Sequence, residues 1–127
     1  MTPEEEAALR AAEEIELVTT GRRTGRPHAV KLWSAYEDGT LWMRTDSDAD
    51  WYRNLLGDPR CRVRFEGREL EGRYERVVSK DRPSSADEQG LRHLIGLWRR
   101  KYGNEWVGDW YVERGRIPVR VRIVNAA

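Results

Sequence analysis

The chain has 127 residues, with 23 lysine and arginine residues against 22 aspartate and glutamate residues, and this length predicts a single domain spanning residues 1–127. The near-zero net charge argues against a nucleic-acid binder that relies on bulk positive charge, and the single cysteine, Cys61, excludes an internal disulfide and a thiolate-clustered metal site. Because the sequence contains no apolar run long enough for a membrane span and its acidic N-terminus lacks signal-peptide features, we expect a cytoplasmic protein with no membrane span.

The first residues have the pattern of a helix start. Thr2 is a hydroxyl N-cap, Pro3 suits the first helical position, and the glutamates that follow favour the positive end of the helix dipole. We expect this helix to end near Glu14. A strand over residues 15–20 follows, and two glycines and a proline then predict a turn over residues 21–27.

The middle of the chain predicts two strands and a short helix. Strand patterns cover residues 28–37 and 40–45, and the Asp38-Gly39 pair between them is a strong hairpin signal. Ser47 and Asp50 resemble a capping box, which predicts a helix from there to Leu56.

The second half predicts two further strands, a long helix and a last strand. Residues 60–65 alternate between apolar and charged side chains, and residues 69–78 continue the sheet. The long helix begins near Pro83 and has Gly103 as its C-cap, and the last strand spans residues 118–124. The elements together predict an α+β domain, a six-stranded antiparallel sheet that curls into a barrel with flanking helices.

The sequence offers little for side-chain catalysis or for a metal. His28 and His93 are the only histidines and lie far apart, and Cys61 falls on the apolar side of its strand. No serine stands in a nucleophile elbow, and no carboxylate pair is singled out by its spacing. We therefore predict no catalytic side chain and no metal.

The turn over residues 21–26 is a candidate phosphate site. Arg22, Arg23 and Thr24 stand between two glycines, where guanidinium groups, a hydroxyl and backbone amides together can hold an anion. The alternative is a solvated hairpin turn that is basic without binding anything. The sequence has no glycine-rich nucleotide-binding loop of the Rossmann or P-loop type.

A second candidate lies where the strand over residues 40–45 meets the short helix. Thr45, Asp46 and Ser47 are followed by an indole at Trp51 and by Asn54, which together could flank an isoalloxazine-like ring. The alternative is that Trp51 simply anchors the helix to the barrel.

Several motifs in order along the chain resemble the deazaflavin-dependent nitroreductase and quinone reductase family of split β-barrels. They are TTGRRTG at residues 19–25, YEDG at 36–39, WYRNL at 51–55, DPRCRV at 58–63, and more weakly KYG at 101–103 and RIPV at 116–119. The resemblance implies a six-stranded split barrel that binds the reduced deazaflavin coenzyme F420, with FMN as the alternative. The activity implied is hydride transfer to a small electrophile such as a quinone, an enone or a nitro compound. Barrels of this class commonly form homodimers.

The resemblance also implies roles for particular residues. The residues expected at the cofactor are Arg22, Arg23, Thr24, His28, Lys31, Trp33, Thr45, Asp46, Ser47, Trp51 and Asn54. Those expected at the substrate are Tyr102 and Trp106.

Two other hypotheses remain open from the sequence. The barrel could be a non-catalytic module that binds a flavin-like cofactor or another flat anion, and Trp98, Trp106 and Trp110 could form a dimer face. The segment from Asp46 to Asp50 is acidic, and a carboxylate 4 Å from a phosphate would cost about 4 kcal/mol at an effective dielectric constant near 20.

Overall fold

The structure is a computed structural model that describes residues 1–46, 48–76, 83–103 and 116–124, with the side chains of 83–89, 91 and 116 left aside. In chain order the elements within these ranges are α1 (Pro3–Ala11), β1 (Glu14–Thr20), β2 (Pro27–Trp33), β3 (Ala35–Glu37), β4 (Thr40–Asp46), α2 (Asp50–Gly57), β5 (Arg60–Phe65), β6 (Arg68–Glu75), α3 (Pro83–Tyr102) and β7 (Arg116–Val124).

The strands form one antiparallel sheet in the order β2-β1-β5-β6-β7-β4-β3. The two edge strands, β2 and β3, are consecutive in the chain and are joined by Ser34 alone. The sheet must therefore curl until its edges approach each other at this residue, although the edges do not pair. The predicted α+β split barrel is confirmed.

The strand count differs from the prediction, because the single strand expected over residues 28–37 is two strands. β2 pairs with β1 at one edge, and β3 pairs with β4 at the other. The chain has to leave one edge and join the opposite one at Ser34, and this interrupts the ladder. Within the described residues the sheet therefore has seven strands rather than six.

Most of the local signals form as predicted. The Thr2 hydroxyl accepts a hydrogen bond from the Glu5 amide at 3.1 Å, and the Glu5 carboxylate accepts one from the Thr2 amide at 2.9 Å. These bonds to Thr2 hold the pKa of Glu5 below its usual value. Asp38 and Gly39 both have positive φ, as a tight hairpin requires, and Gly103 after α3 does too. α1 ends at Ala11, earlier than expected, because β1 already begins at Glu14.

The capping box expected to start α2 is wrong. The N-cap is Ala49, which makes no side-chain cap bond, and Ser47 lies outside the described residues. What holds the helix is the burial of Trp51 and Leu55 in the core. Tertiary packing has replaced the local cap signal here.

Two apolar clusters stabilise the molecule. The larger unites α1, α2 and the inner faces of the strands, and includes Leu9, Leu17, Leu41, Met43, Trp51, Leu55, Val63, Val119 and Val121. The smaller joins α3 to β3 and β4 through Ala35, Trp42, Leu94, Ile95, Leu97 and Trp98. Trp98 is thus buried within the chain and offers no exposed dimer face, and the other two tryptophans of that hypothesis, Trp106 and Trp110, lie outside the described residues. Among the described helices, none has the length and apolar character needed to cross a bilayer.

Candidate functional site

The turn between β1 and β2 is closed by its own hydrogen bonds. The Gly21 amide donates to the Arg26 carbonyl and the Gly25 amide to the Gly21 carbonyl, each at 2.8 Å, while the Arg26 amide donates to the Thr24 hydroxyl at 3.2 Å. A Cβ on Gly21 would lie 2.9 Å from that hydroxyl and 3.1 Å from the Arg26 carbonyl, and Gly25 has a φ of 70°. Both glycines are therefore needed for the shape of this turn.

Arg22 fastens the turn to α2. Its amide and its Nη1 both donate to the Asn54 side-chain oxygen, at 3.1 and 2.9 Å, and its Nη2 reaches the Asp50 carboxylate at 3.1 Å. The Asn54 side-chain nitrogen in turn donates to the Thr19 hydroxyl at 3.1 Å. The two sequence candidates thus meet at this point, and two of the expected cofactor residues, Arg22 and Asn54, bind each other.

The pairing of Asp50 with Arg22 reduces the repulsion that the acidic segment would exert on a phosphate at the turn. Asp50 is 69% exposed and is paired with Arg22, so its negative charge is partly neutralised beside the turn. An ion pair this open to water contributes little to stability. The bonds to Asn54, which is 3% exposed, are the stronger restraint because a buried amide must have partners.

The outward side of the turn presents four unused donors. Within the described part of the chain, the amides of Arg23 and Thr24 donate no hydrogen bond, and the exposed guanidinium groups of Arg23 and Arg26 form no ion pair. Backbone amides beside free guanidinium groups are the donor set that proteins use for phosphate oxygens. The residues present therefore fit a phosphate-bearing cofactor.

β2 leads away from this turn and separates the expected residues by face. Lys31 and Trp33 lie on the outer face, whereas His28 is on the opposite face, which it shares with the core-packing Val30 and Leu32. The strand therefore does not place His28 beside Lys31 and Trp33. Lys31 is exposed, and Trp33 is half-buried.

The expected residues of β4 and α2 are mostly buried. Thr45 is 5% exposed and its hydroxyl donates to the Asp46 carbonyl at 3.0 Å, while the Asp46 side chain is exposed at the strand end. Trp51 is 7% exposed and packs in the core with Leu55, as the anchoring alternative expects. A contact of Trp51 with a flavin-like ring stays a prediction. Ser47, expected at the cofactor, and Trp106, expected at the substrate, lie outside the described residues.

At the other end of β2, a cavity of about 560 Å³ opens between α1, β2 and α3, lined by Arg10, Ala11, Glu13, Trp33, Lys101 and Tyr102. It brings together Trp33, expected at the cofactor, and Tyr102, expected at the substrate. Their rings stack with centroids 4.3 Å apart and planes 15° apart. The Tyr102 hydroxyl accepts a hydrogen bond from the Ser34 amide at 3.2 Å and donates to the Glu13 carbonyl at 2.6 Å. These bonds hold the end of α3 against the seam of the barrel, which is the place at Ser34 where the two edges of the sheet approach each other.

Four residues of this lining, Arg10, Ala11, Glu13 and Lys101, are not among the site residues predicted from the sequence, and Lys101 is the partly buried cation among them. Its Nζ donates to the Ser34 carbonyl at 2.7 Å, and burial lowers the pKa of Lys101 to about 8. The signal available in the sequence was the KYG motif, but nothing local indicated that α1 and the end of α3 would meet. Arg10 and Lys101 come together only through the fold.

A family model described as F420H(2)-dependent quinone reductase matches residues 4–123 of the chain. No curated protein sequence shows significant similarity to this chain.

Solved structures with different ligands share the fold. An F420 reductase is 20% identical with a TM-score of 0.67, over 94% of this chain and 93% of that one. A FAD-binding protein from Mesorhizobium loti is 21% identical with a TM-score of 0.67, over 96% and 87%. The heme storage protein HutZ from Vibrio cholerae is 14% identical with a TM-score of 0.69, over 98% and 90%. Since these proteins are named for three different cofactors, the fold by itself does not select the ligand.

Proposed function

The chain belongs to the F420H(2)-dependent quinone reductase family, whose cofactor is the deazaflavin F420, and from that premise we propose that it binds reduced F420 and reduces a small electrophile such as a quinone, an enone or a nitro compound. The observation that carries the proposal is the basic turn. Arg22 is used to fix the turn on α2. The amides of Arg23 and Thr24 and the guanidinium groups of Arg23 and Arg26 are exposed and have no partner among the described residues.

These donors would hold the phosphate of the cofactor. Arg23 and Arg26 supply the charge, and the amides of Arg23 and Thr24 supply short directional bonds. Lys31, further along the outer face of β2, would border the ring, and Trp33, at the end of that strand, would stand where the ring meets the substrate. His28, Thr45, Asp46, Ser47, Trp51 and Asn54 remain predicted members of the site, as Trp106 and Tyr102 do for the substrate.

When bound, the reduced deazaflavin supplies the hydride. The protein's part is to bind the phosphate, to orient the ring and to keep water from its reacting face. The proton that completes the reduction would come from water, since the sequence contains no catalytic side-chain motif to supply it. The positive charge of Lys31 would favour the negative charge that develops during reduction.

Titration of the full chain with F420, followed by the fluorescence of the coenzyme, tests the proposal. The double substitution Arg23→Ala/Arg26→Ala should weaken binding about a hundredfold, because two charge-assisted contacts are lost. Arg92→Ala, which removes an exposed arginine of α3, is the matched control and should bind as the wild type does. Equal affinity of the double variant and the wild type would refute the phosphate site.

Two further measurements separate the alternatives. A parallel titration with FMN decides between the two cofactors, and a quinone and a nitro compound as acceptors decide between an enzyme and a binding module. Tight F420 binding with no turnover of either acceptor would favour the module. We also propose that the protein acts in the cytoplasm as one domain. We propose in addition that it forms a homodimer, and light scattering would show this by the mass of the particle in solution.

A further inference from the structure

The cavity at the end of β2 combines two features that suit a flat, oxygen-bearing ligand. One wall is aromatic, made by the stacked rings of Trp33 and Tyr102. The same lining contains a half-buried lysine, Lys101. Aromatic walls accept planar rings, and a few placed polar groups then decide which ring is held.

Lys101 has donors to spare at this place. An ammonium group carries three N–H donors, and one is given to the Ser34 carbonyl at 2.7 Å. Its Nζ also lies 5.2 Å from the centre of the Tyr102 ring. Among the described residues no carboxylate forms an ion pair with Lys101. Within the described part of the chain, this cation is therefore partly removed from water with no ion-pair partner.

The other charged groups around the cavity are already engaged or exposed. Arg10 pairs with Glu6 at 3.1 Å and lies over the Tyr36 ring. Glu13 is exposed, and its carbonyl is used by the Tyr102 hydroxyl. Among the described residues that line the cavity, Lys101 is therefore the cation without a carboxylate partner, and the Glu13 carboxylate of the same lining disfavours a ligand with more than one negative charge.

The cavity is well separated from the phosphate turn. Trp33 pairs with Glu14 at one end of the β1–β2 ladder, and Pro27 pairs with Thr20 at the other. Six residue steps along a strand span about 20 Å. A ligand of the cavity is therefore held by different residues from those that hold the phosphate.

From this geometry we infer that Lys101 is a specificity-determining residue, which makes the cavity select flat electrophiles carrying one anionic oxygen, such as hydroxyquinones, over neutral compounds of the same shape. The inference rests on the proposed function, because it names the substrate class of that reductase. An anionic oxygen at Lys101 supplies a counter-charge, whereas the carbonyl oxygen of a neutral quinone accepts only the weaker hydrogen bond of an uncharged acceptor.

Isothermal titration of the cofactor-free full chain at pH 7 with two naphthoquinones tests the inference. The anionic probe is 2-hydroxy-1,4-naphthoquinone, and the neutral probe is 2-methyl-1,4-naphthoquinone. We expect the anionic probe to bind the wild type about tenfold more tightly, and Lys101→Met to abolish this preference, since one charge-assisted contact is lost. Lys101→Arg should retain part of it, and Arg100→Met, an exposed neighbour on α3, should retain all of it. Equal binding of both probes by the wild type, or an unchanged preference in Lys101→Met, would overturn the inference.

A measurement on the wild type keeps the test decisive if Lys101→Met does not fold. The indole N–H resonance of Trp33 is assigned as the one that is lost from the NMR spectrum in Trp33→Phe. In the wild type, this resonance should shift as the anionic probe is added. A saturated protein whose Trp33 resonance has not moved would place the probe elsewhere and contradict the inference.

The last test repeats the titration of the anionic probe in the presence of saturating oxidised F420. The anionic probe should still bind, because the cavity belongs to the substrate, whereas competition would identify the cavity as the site of the cofactor ring and overturn the inference. Failure of F420 to bind, with the probe still dependent on Lys101, would refute the proposed function and leave the selectivity of the cavity established.

Discussion

At the scale of single residues, the three arginines of the turn have different surroundings although they are neighbours in sequence. Arg22 is bound to Asn54 and Asp50, whereas Arg23 and Arg26 are exposed and form no ion pair among the described residues. A buried amide that loses its partner costs free energy of folding, and an exposed guanidinium group that is removed costs little. Substitution of Arg22 should therefore lower stability, whereas substitution of Arg23 or Arg26 should weaken cofactor binding and leave stability nearly unchanged.

Arg22→Ala should lower the free energy of unfolding by about 1–3 kcal/mol, because the side-chain oxygen of Asn54 loses its guanidinium donor. Arg23→Ala should change it by less than about 0.5 kcal/mol. Urea unfolding of both variants measures the difference. Similar stability of the two variants would show that the contact with Asn54 does not hold the turn.

Lys101 should produce a pH dependence of stability in alkaline solution. Burial lowers its pKa to about 8, from a value near 10.5 for a lysine in water. Between these two values the unfolded chain binds more protons at this residue than the folded protein does, so the contribution of Lys101 to stability rises with pH.

Urea unfolding at pH 7.5, 9 and 10.5 tests this expectation. The stability of the wild type relative to Lys101→Met should rise across the series, because methionine keeps the stem and removes the titrating group. A constant difference between the two proteins would mean that Lys101 is solvated in the folded state.

At the scale of elements, the seam of the barrel is held by the end of α3. Ser34, which is fully buried, joins the two edges of the sheet, and its amide and carbonyl are satisfied by Tyr102 and Lys101. The Tyr102 hydroxyl reaches the Glu13 carbonyl just before β1 as well. One helix end thus connects both edges of the sheet.

Tyr102→Phe should lower the free energy of unfolding by about 1–3 kcal/mol, since the buried Ser34 amide loses its acceptor. The same substitution should speed hydrogen exchange at that amide. Tyr52→Phe is the control, because the Tyr52 hydroxyl makes no hydrogen bond within the described residues. Unchanged exchange at Ser34 in Tyr102→Phe would show that the seam closes without the hydroxyl.

At the scale of the whole molecule, the barrel is common to proteins named for F420, FAD and heme. Its core is built from apolar side chains that point inward from most of the strands, and such a core does not determine which ligand the barrel binds. A ligand preference of this chain must therefore come from the donors on the turn and the lining of the cavity, and not from the core.

F420 at about a hundredfold its dissociation constant should stabilise the protein by about 2.7 kcal/mol and raise its melting temperature by roughly 10 °C, because it binds the folded state only. Differential scanning fluorimetry with F420 and with heme measures this. A larger shift with heme than with F420 would contradict the proposed cofactor preference.

The sequence by itself determined the features whose physical cause lies within a few residues. Thr2 caps α1, Asp38 and Gly39 turn the hairpin, Gly103 ends α3, and the alternation around Cys61 predicts β5. In each of these cases the signal and the structure that it forms occupy the same short segment. The family motifs, which are spread along the chain, likewise indicate the split barrel and F420.

Only the tertiary structure decided what depends on distant parts of the chain. Ser34 divides the expected strand because the two edges of the sheet meet there, and α2 begins without its expected cap because Trp51 is buried. Arg22 is paired with Asn54, and Lys101 shares a cavity with Arg10. Local propensity cannot specify such contacts, since they form between side chains that become neighbours only when the sheet has curled and the helices have packed on it.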